Sequence, residues 1–137
     1  VIAVEEAVFQ SYVEAWKSRQ EEEEEEEEAS RRKRAREAER TAARLSRILV
    51  DQYGAAEVWL FGSLVRPGRF RAHSDIDLAA TGLPKSAYFQ LLSRLNATSA
   101  FAVDLVDLDG CAPWLADAIR REGKLLATRG EHNGSKK

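Results

Sequence analysis

The sequence predicts an α/β (α+β) fold: a small mixed sheet with helices packed on one side, preceded by a long helical arm. Three observations carry that expectation. Residues Val1 to Tyr53 contain no glycine and no proline, which favours uninterrupted helix. Three later apolar runs, "AEVWLFG", "SDIDLAATG" and "AFAVDLVDLD", read as strands. Two helical patterns, "LPKSAYFQLLSRLNATS" and "CAPWLADAIRREG", alternate with them and open near Pro84 and Pro113.

In the first segment Ile2, Phe9 and Trp16 recur every seven residues, with Tyr12 and Val13 beside them. They mark one apolar stripe. Eight glutamates, Glu21 to Glu28, follow, and then the basic block "RRKRAREAER". Glu27 with Arg31 and Glu28 with Arg32 are helix-stabilising pairs of roughly 0.2–0.5 kcal/mol each. Glutamates four apart within the run oppose them, so the run reads as a solvated helix or frayed connector. Its sharper reading is a partner-binding or dimerising arm. Ala38, Ala42, Leu45, Ile48 and Leu49 form a second stripe, ended by Tyr53-Gly54. "KLLAT" reads as a short last strand or extended tail, and "RGEHNGSKK" as polar and flexible. The expected division is an arm over 1–36, a domain over 37–128 and a tail over 129–137.

Composition narrows the function. The 137 residues carry 21 basic and 23 acidic side chains, a net charge of −2, so direct nucleic-acid binding is not expected. No apolar run is long enough to span a bilayer, and the N-terminal stretch, with glutamates among its apolar residues, is not a secretory signal. The single cysteine, Cys111, permits no internal disulfide and suits a cytoplasmic protein.

The chemistry concentrates in "LFGSLVRPGRFRAHSDIDLAA". Side chains alternate along a strand, so Asp75, Asp77 and Ala79 point one way and Ile76, Leu78 and Ala80 the other. The apolar set anchors the strand and the carboxylates share the opposite face. Paired carboxylates at that spacing can hold Mg²⁺, a hard ion that shares its shell with phosphates. In the third strand Asp104 alternates with Val103 and Leu105 and is the favoured third carboxylate. Asp107 shares parity with the core-facing residues, and Asp109 stands at the strand end before Gly110. Gly62-Ser63 ends the first strand, where a glycine lets phosphate approach the backbone and a hydroxyl can bind its oxygens. Arg66, Arg69 and Arg71 add positive charge in the following loop. His73 reads as a loop residue able to touch phosphate.

Gly-Ser, an eleven-residue loop, Asp-x-Asp and a later strand aspartate resemble the nucleotidyltransferase superfamily of polymerase beta-like fold, and more narrowly its minimal members. The resemblance covers roughly Leu45 to Thr128. It implies transfer of a nucleoside monophosphate from an NTP, foremost AMP from ATP, to a hydroxyl with release of pyrophosphate. By this resemblance Asp75, Asp77 and Asp104 are the catalytic and metal-binding positions, with two Mg²⁺ ions expected. Gly62 and Ser63 match the nucleotide-holding pair, and Arg66 and Ser74 complete the expected nucleotide contacts. Minimal members are commonly antitoxins of HEPN toxins and can AMPylate a toxin tyrosine, the type VII arrangement. The expectation is therefore a protein adenylyltransferase with a HEPN toxin as partner, in a homo- or hetero-oligomer. Neutralisation by binding alone, or a small-molecule adenylyltransferase completed by a partner subunit, are the alternatives. The arm is the departure from the minimal pattern.

Overall fold

A computed structural model of the chain describes residues 2–66 and 68–130. Ile2 of the apolar stripe and the expected tail from residue 131 onward lie outside the described side chains.

The stretch free of helix breakers forms one helix of 52 residues, α1 (Ile2–Tyr53). The glutamate run is part of it, and Glu28 pairs with Arg32 at 2.9 Å, so the helix continues where a frayed connector was the alternative. α1 also runs unbroken across position 36. Its contacts with the rest of the chain begin earlier: Arg34 donates to the Ala72 carbonyl at 3.0 Å, and Ala35 packs on the core. Gly54 stops the helix in a left-handed conformation (φ +75°), and the next N–H, of Ala55, turns back to the Leu49 carbonyl at 3.0 Å.

The remaining elements are β1 (Glu57–Phe61), β2 (Ile76–Thr81), α2 (Tyr88–Ala97), β3 (Val103–Asp107), α3 (Pro113–Glu122) and β4 (Lys124–Thr128). The strands form one sheet in the order β3-β2-β1-β4, so "KLLAT" is a strand and not a tail. β1 runs antiparallel to both β2 and β4, whereas β2 and β3 are parallel. A parallel pair needs a crossover, and α2 supplies it.

Alternation decides the two faces. Val58, Leu60, Ile76, Leu78, Ala80, Val103 and Leu105 turn towards Ala38, Ala42, Leu45 and Leu49 of α1 and Leu91 and Leu95 of α2, in the main core. Helices on one side holds for α1 and α2. It needs correction for α3. Ala116 and Ile119 of α3 pack with Ala79, Leu108, Trp59, Phe61 and Val106, which lie on the opposite face. The physical reason is Ala79: an apolar residue on the aspartate face still requires cover. A second correction concerns Asp75, which precedes β2 and lies outside its ladder.

The open edge of β3 is managed by side chains. Asn96 accepts from the Val103 N–H at 2.8 Å and donates to the Val103 carbonyl at 2.9 Å. The Tyr88 hydroxyl donates to the Leu105 carbonyl. An edge closed this way cannot template pairing with another strand. Replacing Asn96 with alanine strips Val103 of both bonds. The expected loss is about 2 kcal/mol in urea unfolding, with the m-value unchanged. Among the described residues no helix is long and apolar enough to cross a membrane.

Candidate active site

The site grows from one end of the sheet. In the parallel register Asp77 stands directly opposite Asp104. Neighbouring strands are about 4.8 Å apart, so the two carboxylates leave the sheet side by side. On its other flank Asp77 is in register with Phe61, the last residue of β1, and the chain then turns at Gly62. Gly62 has φ +79°, and a Cβ built there would lie 2.2 Å from Asp77 Oδ2. The Asp77 carboxylate therefore rests against the Gly62 backbone. Both the conformation and the space require glycine at this point.

Gly62–Val65 form a single 3₁₀ turn that holds Ser63 half-buried at the mouth of this bay. Leu64 is buried beneath the turn and fixes it to the core. Asp75 is exposed just before β2. The Ile76 N–H donates to the Ala102 carbonyl at 2.9 Å, which sets the chain's entry into the strand. α3 covers Ala79, but Asp77, two residues earlier on the same face, remains half-buried.

The electrostatics follow from this crowding. Burial, then the charge of Asp104, then that of Asp75 push the Asp77 carboxyl from its ordinary 3.8 up to about 6. The Tyr88 phenol is also raised, by burial first and then by Asp104 and Asp107. Three acids near one sheet end, with one held above the usual carboxylate range, mark a candidate functional site. Among the described residues, no three histidine, cysteine, aspartate or glutamate side chains are already gathered as a metal site.

The other aspartates of the third strand have structural partners elsewhere. Asp107 is in register with Ala80 at the far end of β2, and its Oδ1 accepts from the Asp109 N–H at 3.0 Å. Asp109 Oδ2 accepts from the Gly82 N–H at 2.8 Å. Both close turns. Of the remaining candidate residues, Arg66 is exposed and pairs with Glu122 at the end of α3, at 3.1 Å. Ser74 Oγ accepts from the Arg71 N–H at 2.8 Å and closes the loop before Asp75. The structure thus brings Gly62, Asp77 and Asp104 together, with Ser63 next along the turn and Asp75 near enough for its charge to act on Asp77, and gives Arg66 and Ser74 partners outside that group.

Sequence reasoning did not find what anchors the loop. Phe70 is buried and meets Phe101 edge-on at 6.0 Å between centroids. The Arg34 guanidinium lies over the Phe101 ring at 4.9 Å while holding the Ala72 carbonyl. These contacts join α1 to a loop 38 residues away, and no local pattern announces them.

A four-stranded mixed sheet with a Gly-Ser turn against an Asp-x-Asp strand and a third aspartate alongside defines a nucleotidyltransferase of the polymerase beta type. Residues 44–132 match the family described as "Polymerase beta, Nucleotidyltransferase", and the chain belongs to that family. None of the curated proteins matches it. Among solved structures, a protein assigned as a minimal nucleotidyltransferase shares 31% identity at a TM-score of 0.51, over 63% of this chain and 92% of that one. A toxin–antitoxin complex with AMP-PNP shares 26% at a TM-score of 0.56, over 68% of this chain and 78% of that one. A tri-AMPylated HEPN toxin of Shewanella oneidensis in complex with its MNT antitoxin aligns at 24%, over 72% of this chain and 78% of that one. Its TM-score is 0.52, a likeness of fold alone.

Proposed function

We propose that this chain is a Mg²⁺-dependent adenylyltransferase that moves AMP from ATP onto a tyrosine hydroxyl of a HEPN toxin. It would thereby act as the antitoxin of a type VII pair in the cytoplasm. The observation that carries the reading is the seat of Asp77, pressed against the Gly62 backbone on one side and level with Asp104 on the other. Such a seat would bring a phosphate-holding turn and paired carboxylates to one point. The similarity to a toxin–antitoxin chain in complex with AMP-PNP supports both the nucleotide and the type of partner.

The residues fit a hard divalent cation. Their donors are carboxylate oxygens, and the Asp77 carboxyl is raised first by burial and then by the charges of Asp104 and Asp75, a repulsion that a cation would relieve. Asp75, Asp77 and Asp104 would hold it. Mg²⁺ commonly takes one or two carboxylates and completes its shell with water and phosphate, so a closed cage of three protein ligands is not required. When bound, it would neutralise charge on the phosphates.

The chain's own residues do the rest. Gly62 admits the triphosphate to the backbone, and Ser63 donates its hydroxyl to a phosphate oxygen. Arg66 and Ser74 would contribute from farther out. The acceptor oxygen attacks the α-phosphorus and forms a new P–O bond. The bond from that phosphorus to the α–β bridging oxygen breaks, and pyrophosphate leaves. The acceptor's proton passes to Asp104, which faces the bay. Positioning and charge stabilisation supply most of the acceleration.

Ser63→Ala is expected to raise KM for ATP about tenfold, the value of one charge-assisted hydrogen bond, and to lower kcat less. Steady-state kinetics at varied ATP checks this. The Asp75→Asn/Asp77→Asn variant tests the biological reading: it should no longer protect cells that express the toxin. Retained protection would assign neutralisation to binding alone.

A further inference from the structure

The arm of α1 carries an apolar face that no other described residue covers. Val4, Val8, Phe9, Tyr12 and Trp16 are 52–72% exposed. Small residues Ala7, Ser11 and Ala15 line a shallow groove beside Val8 and Tyr12, where a second helix could approach closely. Together these side chains offer on the order of 1,000 Å² across a pair of arms, the lower edge of a stable interface.

Charge selects the occupant. Glu5, Tyr12 and Arg19 recur at intervals of seven, so they lie on one line along the helix. An acid and a base thus interrupt the apolar face at equal distances on either side of Tyr12. Two arms crossing antiparallel at Tyr12 bring Glu5 of each opposite Arg19 of the other, and Val8 opposite Trp16. The same face therefore complements itself under a two-fold axis, the property of an isologous interface. A parallel pairing does the reverse. It sets Glu5 on Glu5, Arg19 on Arg19 and the eight-glutamate run against its copy. In the antiparallel arrangement the two glutamate runs leave the crossing at opposite ends.

We infer that the arm is a homodimerisation element whose partner is a second copy of this chain, crossed antiparallel about Tyr12. The interface is separate from the nucleotide site, which lies at the far end of α1 on the sheet. The dimer would dissociate in roughly the micromolar range, as expected for so small an interface.

Sedimentation equilibrium on the full chain tests this. The expected result is a concentration-dependent dimer that Glu5→Arg weakens about tenfold and that Glu5→Arg/Arg19→Glu restores. Orientation is read by a short bismaleimide in a Cys111→Ser background. Val8→Cys and Trp16→Cys variants should cross-link only when mixed. A monomer throughout the micromolar range, a double reversal that fails to restore the dimer, or efficient cross-linking of Val8→Cys alone would each overturn the inference.

Discussion

Asp77→Asn is expected to abolish AMP transfer, by at least about 10³-fold in kcat/KM, and at the same time to stabilise the protein. The two effects share one cause. In the folded protein the Asp77 carboxyl is pushed up to about 6, first by burial and then by Asp104 and Asp75, against 3.8 ordinarily. Between those pH values the folded state binds more protons at this group than the unfolded state does. Stability therefore falls as pH rises from about 4 to about 6, and stays at its lower level above. Asparagine keeps the shape and removes the charge. Because Asp77 is only half-buried, the expected gain near neutral pH is discounted to about 1 kcal/mol. Thermal unfolding across pH 4–8 checks the sign: the variant should lack the decline that the wild type shows at this group. A divalent cation should recover stability in the wild type and much less in the variant, since it binds the ionised form.

Gly62→Ala is the second change with a large expected effect. Its Cβ would stand 2.2 Å from Asp77 Oδ2, and the φ of +79° disfavours any L side chain. The carboxylate must move or the turn must open. We expect a loss of about 2–3 kcal/mol and undetectable transfer, because either movement separates the Gly62-Ser63 turn, the proposed phosphate holder, from the aspartates. A double-mutant cycle separates the two contributions. Adding Asp77→Ala removes the collision but not the backbone strain, so Gly62→Ala should cost about 1 kcal/mol less in that background. Equal costs in both backgrounds would mean that Gly62 and Asp77 do not touch.

The alternation of Ile76 and Leu78 with Asp77 placed the carboxylate opposite the core, because strand side chains have a period of two. The same parity set Asp104 apart from Asp107, and the register puts Asp104 across from Asp77 and Asp107 across from Ala80. Ala79 was legible in principle. An alanine on the aspartate face already implied cover there, and α3 provides it through Ala116 and Ile119.

Other features lay beyond local patterns. The Arg66–Glu122 pair spans 56 residues and the Arg34–Ala72 bond spans 38. Neither sequence neighbourhood contains its partner, so Arg66, Arg69 and Arg71 read alike as positive charge in the loop. Only the folded chain shows Arg66 joined to α3 and Arg34 pinning the loop to α1. The contact between Gly62 and Asp77 was likewise invisible as a distance, although a glycine at a strand end upstream of an aspartate pair was the signal that pointed to it.

The most direct test is intact-mass spectrometry of the cognate HEPN partner after incubation with this chain, ATP and Mg²⁺. The account predicts added AMP on a tyrosine of the partner, abolished by Asp77→Asn. An unmodified partner, or equal modification by the Asp77→Asn variant, would contradict it.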